Sequence, residues 1–497
     1  MERERKERMN KAWAWLPVSL AFASNLTAGW RTYQQTVEVS FDSPAAAAQA
    51  QLTALPLPVG KKVAFSTRWD DTNNDHARMV DVLTAHGYKG TFYLNQVNEA
   101  YAQTVLRKML DKGCSVGSHT AHHPRLPELG PNAIFKEILA NRIAVETMGQ
   151  TCVSAFTLPY CQFTSTNEPA MPRIISGCLR RAGLLGGPEY WPDAATKYGC
   201  TPRDWVGAYT FSINDRDPQL DRFEKAVRQG MQAIEGKGFE CGPHLVLGIH
   251  TWQKSDQGFN RFGEIIATQA NRPDWWYCNE NEYVAYRMQM FHSAIKKTGV
   301  SGKTATFTVD RVVPFELGDR IALGMQASPA PRSARTGGQP LTLGKNGAFT
   351  LPHDAAQQLP ARIALFENKD NRGETDGALA DKALPGLRLG LHASVEKNRL
   401  SCFLKNASAA DFRGVHLTFR IPPEWKTGVA VRDFEVLKAG AEQRFDVALG
   451  EKEAAPPYGE GALYFAVQCD LSNAQGPVRA YGTTEVDRPS AAKKVRP

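Results

Sequence analysis

Three separate segments of the chain hold the residues whose types could do chemistry. Asp70 and Asp71 are adjacent, His119 and His123 are four residues apart, and His250 lies farther along. Two imidazoles at positions i and i+4 lie on the same side of one helical turn, so their ring nitrogens can reach one ion. A carboxylate added to such a pair gives a site of two histidines and one acid, which leaves positions open for water and substrate. The spacing therefore predicts a divalent metal site.

The roles within these pairs depend on side-chain direction. His122 competes with His123 as the second imidazole, and His123 is favoured because the i, i+4 spacing brings two rings closer and Pro124 fixes the chain after it. Asp70 and Asp71 point to opposite sides of an extended strand, so one is expected to bind the metal while the other faces the substrate as a base. The alternatives are a solvated histidine cluster and a pair of aspartates that caps a helix.

Each segment that contains a candidate site residue follows a short apolar stretch. Strands are predicted at Val63–Trp69, Cys114–Ser118 and Leu245–Ile249, and each ends at or directly before an aspartate or a histidine of the site. In parallel α/β folds the carboxyl ends of the strands meet at one edge, where sites are built. Carboxylates and imidazoles from distant parts of the chain are therefore expected on one rim.

The region from 61 to 297 alternates between strands and amphipathic helices. Asn73 or Asn74 is expected to cap the first helix, which Gly87 closes, and Gly113 is expected to end the second. The remaining predicted strands are Thr91–Leu94 and Val153–Leu158, and the later helices are 131–148, one that ends at Ala270, and 280–297. This alternation predicts an α/β fold with a parallel sheet or a (β/α) barrel.

After Lys297 the helical period fades and alternating strand patterns appear. Strands are predicted at Thr304–Val313, Leu387–Leu391, Val415–Ile421 and Ala462–Cys469. A polar linker over Glu367–Asp381 divides this part into a β-rich module at 298–380 and an immunoglobulin-like β-sandwich at 381–485. The residues from 486 to 497 are expected to be disordered. The N-terminal segment 24–58 precedes the barrel, which spans 59–297.

The composition is that of a folded protein with several domains. The 497 residues are 42% hydrophobic and 22% charged, which excludes a fibrous or largely disordered chain. A net charge of +8, without a block of like charges, argues against a nucleic-acid partner. Nine cysteines without a CxxC pair exclude a zinc ribbon and a dense disulfide scaffold. The oligomeric state is not predictable from these features.

The N-terminus resembles a secretory signal peptide. A basic stretch precedes the apolar run Ala12–Ala23, which is too short to cross a bilayer and ends in a small-x-small pattern. Cleavage after Ala23 would make the protein secreted, periplasmic or attached to the cell surface. Acidic residues in the basic stretch favour the alternative, a cytoplasmic protein. Export would allow a disulfide bond, with Cys402 and Cys469 as one candidate pair.

The order of these motifs resembles the polysaccharide deacetylases of carbohydrate esterase family 4, which share the NodB-homology domain. The family's aspartate pair stands at Asp70-Asp71, its HSxxHP motif at His119–Pro124, its RxPY motif at Thr157–Tyr160, and its LxxH motif at Leu247–His250. The first two motifs together are specific, whereas the other two are individually weak. The resemblance covers residues 60–297 and says nothing about the β-rich remainder.

The resemblance implies a role for each motif residue. Asp71, His119 and His123 would bind a divalent metal, with zinc expected and cobalt or nickel as alternatives. Asp70 would be the general base and His250 the general acid, while the backbone N–H of Tyr160 would stabilise the oxyanion. The implied fold is a distorted (β/α) barrel. Pro159 of the third motif is expected near the substrate, and Trp69, Trp205 and Trp252 are candidates for stacking on sugars, with core packing as the alternative.

The chain departs from the family pattern near the third motif. Thr157 stands where the family has an arginine that orients the base, and Arg68 or Arg203 is available to replace it. Cys161 and Thr72 occupy positions where glycine is common. A fourth motif, an acid next to a tryptophan, corresponds to Asp204-Trp205, which is also compatible with an ordinary turn. These departures leave the metal ligands intact and affect the strength and specificity of catalysis.

These residues together predict a metal-dependent hydrolase that removes acetyl groups from an N-acetylated or O-acetylated polysaccharide. One alternative is a hydrolase of a small amide or imide on the same fold. Another is a carbohydrate-binding protein that has lost catalysis and relies on its β-rich modules. A binding protein has no chemical need for two carboxylates and three imidazoles at one rim, which favours the enzyme.

Overall fold

The computed structural model describes most of the chain. The described residues are 31–187, 205–209, 212–213, 225, 228–229, 232, 243–248, 250–251, 256–313, 320–325, 330–344, 346–372, 384–453 and 462–487. The predicted signal peptide, the tail after 487, Arg203, Asp204 and Trp252 lie outside them.

A parallel sheet forms the centre of the first large domain. Its strands follow the order β6 (Trp205–Tyr209), β8 (His244–Leu247), β3 (Val63–Asp70), β4 (Gly90–Leu94) and β5 (Ser115–Ser118), with β10 (Trp275–Tyr277) pairing to the start of β3. Parallel bridges from Ser118 to Phe156 and from Ala155 to Gly186 extend the sheet beyond β5. All eight residues of β3 are buried, as expected for a parallel strand covered on both faces.

Helices cover this sheet and connect its strands. They are α2 (His76–Ala85), α3 (the consecutive segments Glu99–Tyr101, Ala102–Leu106 and Arg107–Asp111, of which the middle one is π-helical), α4 (Pro131–Gly149), α5 (Met171–Ala182), α6 (Asp256–Ala267) and α7 (Glu280–His292). Short 3₁₀ turns lie at Leu126–Glu128 and Pro159–Cys161, and β7 (Ser212–Ile213) pairs with β9 (His250–Thr251). The alternation of strands and helices confirms the α/β prediction. Closure into a barrel stays a prediction, because the chain between Gly187 and Trp205 lies outside the described residues.

Several predicted element ends differ from the structure. Helix α2 is preceded by Asp75 without a side-chain cap, so neither Asn73 nor Asn74 caps it, whereas Gly87 and Gly113 do follow their helices with φ near +75°. Val153–Leu158 contributes two bridges rather than a regular strand. The helix predicted over 280–297 ends at His292, and the next residues form strand β11 (Ala294–Ser301).

The N-terminal segment belongs to the first β-rich module. Strand β1 (Thr32–Ser40) pairs with β12 (Thr304–Val312) and β14 (Ser333–Thr336), giving the sheet order β11, β12, β1, β14, β15 (Gln339–Leu341). A second sheet has the order β16 (Phe349–Pro352), β13 (Arg320–Met325), β2 (Leu52–Ala54), and helix α1 (Pro44–Gln49) packs into the common core. The predicted segment 24–58 is therefore not separate from the module predicted at 298–380.

The C-terminal module contains two sheets that share one hydrophobic core. The first has the order β17 (Arg362–Asn368), β24 (Gly476–Val486), β23 (Leu463–Asn473), β20 (Phe412–Arg420), β21 (Val429–Leu437), and the second β18 (Leu387–Ser394), β19 (Arg399–Asn406), β22 (Glu442–Ala448). Because β17 pairs with β24, this module begins before the predicted boundary at 381. The immunoglobulin-like arrangement stays a prediction.

The predicted disulfide between Cys402 and Cys469 is absent from the structure. Both cysteines are buried in the C-terminal core, and both are free. Burial raises the pKa of both thiols, which disfavours the thiolate that disulfide exchange requires.

Among the described residues, no helix combines the length and the apolar character that crossing a membrane would need.

Candidate metal centre and active site

The carboxylate of Asp71 lies at the junction of three imidazoles. Its Oδ1 is 3.7 Å from Nε2 of His119 and 3.4 Å from Nε2 of His123, and its Oδ2 is 3.4 Å from Nε2 of His250. The residues come from the ends of β3 and β5 and from β9, which follows β8. The strand ends therefore bring together the acid and the three histidines that were singled out in the sequence.

Strand β3 ends at Asp70, and Asp71 leaves the strand with a φ of 66°. This left-handed conformation takes the chain out of the strand directly after Asp70. Partial burial raises the pKa of Asp71, but the hydrogen bond to His250 and the nearby imidazoles of His119 and His123 outweigh it and lower the pKa to about 2. The carboxylate is therefore charged at neutral pH and can serve as a metal ligand.

His119 is buried, and a hydrogen bond at Nδ1 fixes the orientation of its ring. Its Nδ1 lies 3.0 Å from the carbonyl oxygen of Thr157, which requires a proton on Nδ1 and leaves a lone pair on Nε2. Burial lowers the pKa of His119, although Asp70 and the Thr157 carbonyl act in the opposite direction. A neutral ring with a carbonyl behind it is the usual arrangement of a metal-binding histidine.

His123 reaches the site through a loop rather than a helical turn. Thr120 and His123 both have left-handed backbones, with φ of 64° and 57°, and the Thr120 hydroxyl accepts from the His123 N–H at 3.1 Å. The helical argument for the i, i+4 pair is therefore wrong, although the rings do meet, with centroids 4.8 Å apart. His122 points away to the surface, where its Nδ1 is 2.7 Å from Glu137.

The three expected ligands fit a small divalent cation. Their donor atoms all lie within 4.8 Å of one another. In a tetrahedron with bonds of about 2.1 Å, neighbouring donors are roughly 3.4 Å apart, close to the distances from Asp71 to the two imidazoles. Two neutral imidazoles and one carboxylate also suit zinc and neighbouring transition metals.

Asp70 is paired with the arginine two residues before it. The guanidinium of Arg68 donates from Nε to Oδ1 at 3.2 Å and from Nη2 to Oδ2, and both side chains are almost fully buried. Residues i and i+2 of a strand share one face, which places the pair together. Arg68 therefore holds the aspartate that the sequence marked as the base, as expected of an arginine that replaces the one absent at Thr157.

Tyr160 lies at the rim of the site. Its backbone is left-handed, with a φ of 59°, and its ring packs against His123 with centroids 4.7 Å apart. The guanidinium of Arg125 covers the ring at 4.3 Å, and half of the tyrosine stays exposed. The preceding Pro159 is buried, so its position does not support the predicted contact with substrate.

Of the three tryptophans predicted to stack on sugars, Trp69 has a described side chain, and it lies in the core. Trp69 is fully buried, donates its indole N–H to the Thr67 hydroxyl at 3.1 Å and packs against Phe262. It points to the face of β3 opposite Arg68 and Asp70, so its role is core packing. Trp205 starts β6, but its side chain lies outside the described part of the chain, as does Trp252.

Asn95 and Thr72 are site residues that the sequence reasoning missed. The Asn95 amide nitrogen is 3.4 Å from Oδ1 of Asp71, and its side-chain oxygen accepts from the Thr72 N–H at 3.2 Å. The Asn95 N–H in turn donates to the Thr72 hydroxyl at 3.0 Å. Asn95 directly follows β4, so the rule that strand ends build the site would have identified it.

Comparison with known proteins agrees with the resemblance seen in the sequence. A family model described as polysaccharide deacetylase matches residues 58–171. A chitooligosaccharide deacetylase from Bradyrhizobium sp. (strain ANU 289) is 25% identical over 169 residues, which are 33% of this chain and 65% of that protein. The match thus spans less than two thirds of that relative.

Two solved structures are similar at a lower level. A family 4 carbohydrate esterase from Streptomyces lividans in complex with acetate is 16% identical, with a TM-score of 0.27 over 41% of this chain and 88% of that one. A CE4 family pseudoenzyme from Bacillus anthracis is 14% identical, with a TM-score of 0.29 over 46% and 69%. The family match covers residues 58–171, which include β3, β4, β5 and α4.

Proposed function

We propose that this protein is a metal-dependent hydrolase that removes acetyl groups from an N-acetylated polysaccharide, and the match of residues 58–171 to a family model described as polysaccharide deacetylase supports this proposal. The observation that carries the proposal is the meeting of Asp71, His119 and His123, with the Arg68–Asp70 pair next to them in the chain. An O-acetylated polysaccharide presents the same acetyl carbonyl and is the second substrate form to test.

The proposed metal is zinc, held by Asp71, His119 and His123. When bound, a divalent cation there would lower the pKa of a coordinated water and polarise the acetyl oxygen. The protonated Nδ1 of His119 keeps its Nε2 free for that role, and the amide of Asn95 helps to orient the Asp71 carboxylate. Cobalt or nickel would take the same donors.

Other residues of the chain move the protons. In the proposed reaction Asp70 takes a proton from the attacking water, while the two N–H donors of Arg68 hold its carboxylate in place. His250, beside Asp71, donates a proton to the departing amine, which leaves only when protonated. The backbone N–H of Tyr160 donates to the acetyl oxygen as negative charge develops there.

The deciding experiment combines elemental analysis of the purified protein with acetate release from chitin oligomers, peptidoglycan, acetylated xylan and a small cyclic imide. About one equivalent of metal, and acetate release from an N-acetylated glycan, would support the proposal. Acetate from xylan alone would make the protein an O-acetyl esterase. Turnover of the imide alone, or glycan binding by metal-free protein without acetate release, would contradict the proposed deacetylase.

Export stays a prediction, because residues 1–23 lie outside the described part of the chain. An N-acetylated wall or matrix glycan as substrate would be consistent with it.

A further inference from the structure

A cavity lies where the parallel-sheet domain meets the two β-rich modules. Its volume is about 440 Å³, and its walls come from α4 and the residues after it, from the segment near 357, and from strands β20, β23 and β24. Four arginines line it, namely Arg31, Arg142, Arg420 and Arg479. Such a concentration of guanidinium groups in one cavity raises the question of what balances their charge.

Two of the arginines are balanced by carboxylates. Arg142 donates from Nε to Oε1 of Glu146 at 3.0 Å, and Arg479 donates from Nη1 to Oε2 of the same glutamate at 3.1 Å. Arg479 also donates from Nε to Oδ1 of Asp470 at 2.7 Å. The two acids are therefore already committed to Arg142 and Arg479.

Arg420 has no carboxylate partner among the described residues. It donates from Nη1 to the Arg181 carbonyl at 2.8 Å and from Nη2 to the Gln468 side chain at 3.0 Å, and both acceptors are neutral. Its Nε is buried and makes no hydrogen bond within the described part of the chain. The residue is more than nine-tenths buried. A buried cation without an opposite charge is costly, so its position calls for a balancing group.

The guanidinium groups of Arg142 and Arg420 also crowd one another. Both lie against Gly183, where an added Cβ would meet Nη1 of Arg142 at 2.3 Å and Nη2 of Arg420 at 2.6 Å. They donate to the carbonyls of Ala182 and Arg181 at the end of α5. The dipole of that helix end contributes about half a negative charge, which does not balance a full cation.

The charged groups around the cavity also leave an excess of positive charge. The buried Arg142 and Arg420 and the partly buried Arg479 meet two carboxylates, and Arg31 adds a fourth positive charge at the exposed edge of the cavity. Burial, and next the nearby Arg142, lower the pKa of Arg420 to about 9, which reflects the cost of its charge in this place. A dianion would offset this excess.

We propose that this cavity binds a phosphate-type oxyanion, held by Arg420 of the C-terminal module and by Arg31, which precedes β1, and that the bound anion joins the C-terminal module to the first β-rich module. The fork of a guanidinium group matches the oxygen spacing of phosphate. The cavity is larger than inorganic phosphate, so the anion is either phosphate itself or the phosphate group of a sugar-sized molecule. The proposal goes beyond the acetyl hydrolysis proposed above and does not depend on it.

The test is a calorimetric titration of the full chain with sodium phosphate, at constant ionic strength set by sodium chloride. The wild type is expected to bind phosphate saturably, and Arg420→Gln is expected to bind it at least about tenfold more weakly, since the substitution removes charge-assisted hydrogen bonds to the anion. Arg432→Gln removes an exposed arginine of β21 in the same module and should bind as the wild type does. Comparing phosphate with a hexose 6-phosphate separates the two sources of the anion.

Two further variants keep the test decisive. Because Arg420 is buried and its replacement can impair folding, Arg31→Gln, at the exposed edge, should also weaken binding severalfold. Because phosphate also binds metals, His119→Ala should retain phosphate binding although its metal site is removed. Any of three results would overturn the proposal. These are no saturable binding by the wild type, wild-type affinity in both Arg31→Gln and a folded Arg420→Gln, and loss of binding in His119→Ala.

Discussion

The candidate active site is built from residues that adopt a backbone conformation uncommon for residues other than glycine. Asp71, Thr120, His123 and Tyr160 all have φ between 57° and 66°, and none is glycine. Each such residue costs on the order of 1 kcal/mol or more, and a β-branched residue such as Thr120 is especially unfavourable there. Contacts such as the Thr120 hydroxyl on the His123 N–H hold this geometry. The turns that aim the ligands are therefore maintained by the surrounding structure.

Removal of one imidazole ligand should abolish metal binding. His119→Ala or His123→Ala leaves only two protein ligands, so we expect substoichiometric metal by elemental analysis and a loss of acetate release of more than about 100-fold. His122→Ala is the matched control, because that ring lies at the surface against Glu137. Full metal content in His119→Ala or His123→Ala, or loss of metal in His122→Ala, would contradict this assignment of the ligands.

Substitution of Asp70 and of Asp71 should have different effects on metal content and on rate. Asp70→Asn removes the proposed base but no proposed ligand, so metal content should stay near that of the wild type while the acetate-release rate falls by roughly 10²-fold or more. Asp71→Asn should instead reduce metal content. A metal-free Asp70→Asn protein that is still folded by circular dichroism would mean that the roles of the two aspartates are exchanged.

At the scale of elements, the sequence predicts best where burial is uniform. Strand β3 is buried on both faces, so its apolar run gave bounds within one residue. The predicted helix extended past α7 into the first four residues of strand β11, because residues 294–297 have no local feature that excludes a helix. The pairing of β11 with Thr304–Val312 decides the outcome, and that pairing depends on the turn at Gly302.

The site was predictable to the extent that it lies at strand ends. The aspartates and His119 were placed by that rule, which also covers Asn95 after β4 although it was not applied there. For Trp69 the structure matches the alternative of core packing, because alternation along β3 turns its ring away from Asp70. The loop conformation of residues 119–123 depends on long-range contacts, such as that of Glu137 with His122, which no local pattern encodes.

The hydrogen bonds between Thr72 and Asn95 tie the ends of β3 and β4 together next to the metal ligand. Asn95→Ala should break this connection and release the Asp71 carboxylate, which is expected to lower metal affinity by about 10–100-fold without unfolding the domain. Metal affinity can be measured by competition with a chromophoric chelator. Asn74→Ala, at an exposed position of the neighbouring loop, should leave the affinity unchanged. Equal affinities in both variants would assign Asn95 a structural role only.

At the scale of the whole molecule, the modules are joined by contacts between distant parts of the chain. Strand β1 completes a sheet whose other members come from the segment 294–341, and β17 pairs in parallel with the last strand. Pairings between strands more than 100 residues apart leave no trace in local periodicity, so the sequence could not show that β1 and β17 join strands so far along the chain.

Glu146 links the parallel-sheet domain to the C-terminal module. It is fully buried and accepts from Arg142, from Arg479 at 3.1 Å and from the Tyr481 hydroxyl at 2.6 Å. Glu146→Gln leaves the buried Arg142 and the partly buried Arg479 without this charge, so the free energy of unfolding should fall by about 3–5 kcal/mol. Glu485→Gln breaks the partly exposed contact with Lys136 across the same boundary and should cost less than about 1 kcal/mol. Chemical denaturation of the three proteins gives the comparison.

The pH dependence of the stability difference between wild type and Glu146→Gln distinguishes the loss of a charge from the loss of packing. Burial raises the pKa of Glu146, but Arg142 and Arg479 outweigh it and hold the pKa below its usual 4.5. A carboxyl whose pKa is lower in the folded state stabilises that state above its unfolded pKa, and this contribution disappears as the pH falls through the folded value. The difference in unfolding free energy between wild type and Glu146→Gln should therefore be constant near neutrality and shrink below about pH 4.5. A difference that stays constant through that range would mean that Glu146 acts through packing and hydrogen bonds, and not through its charge.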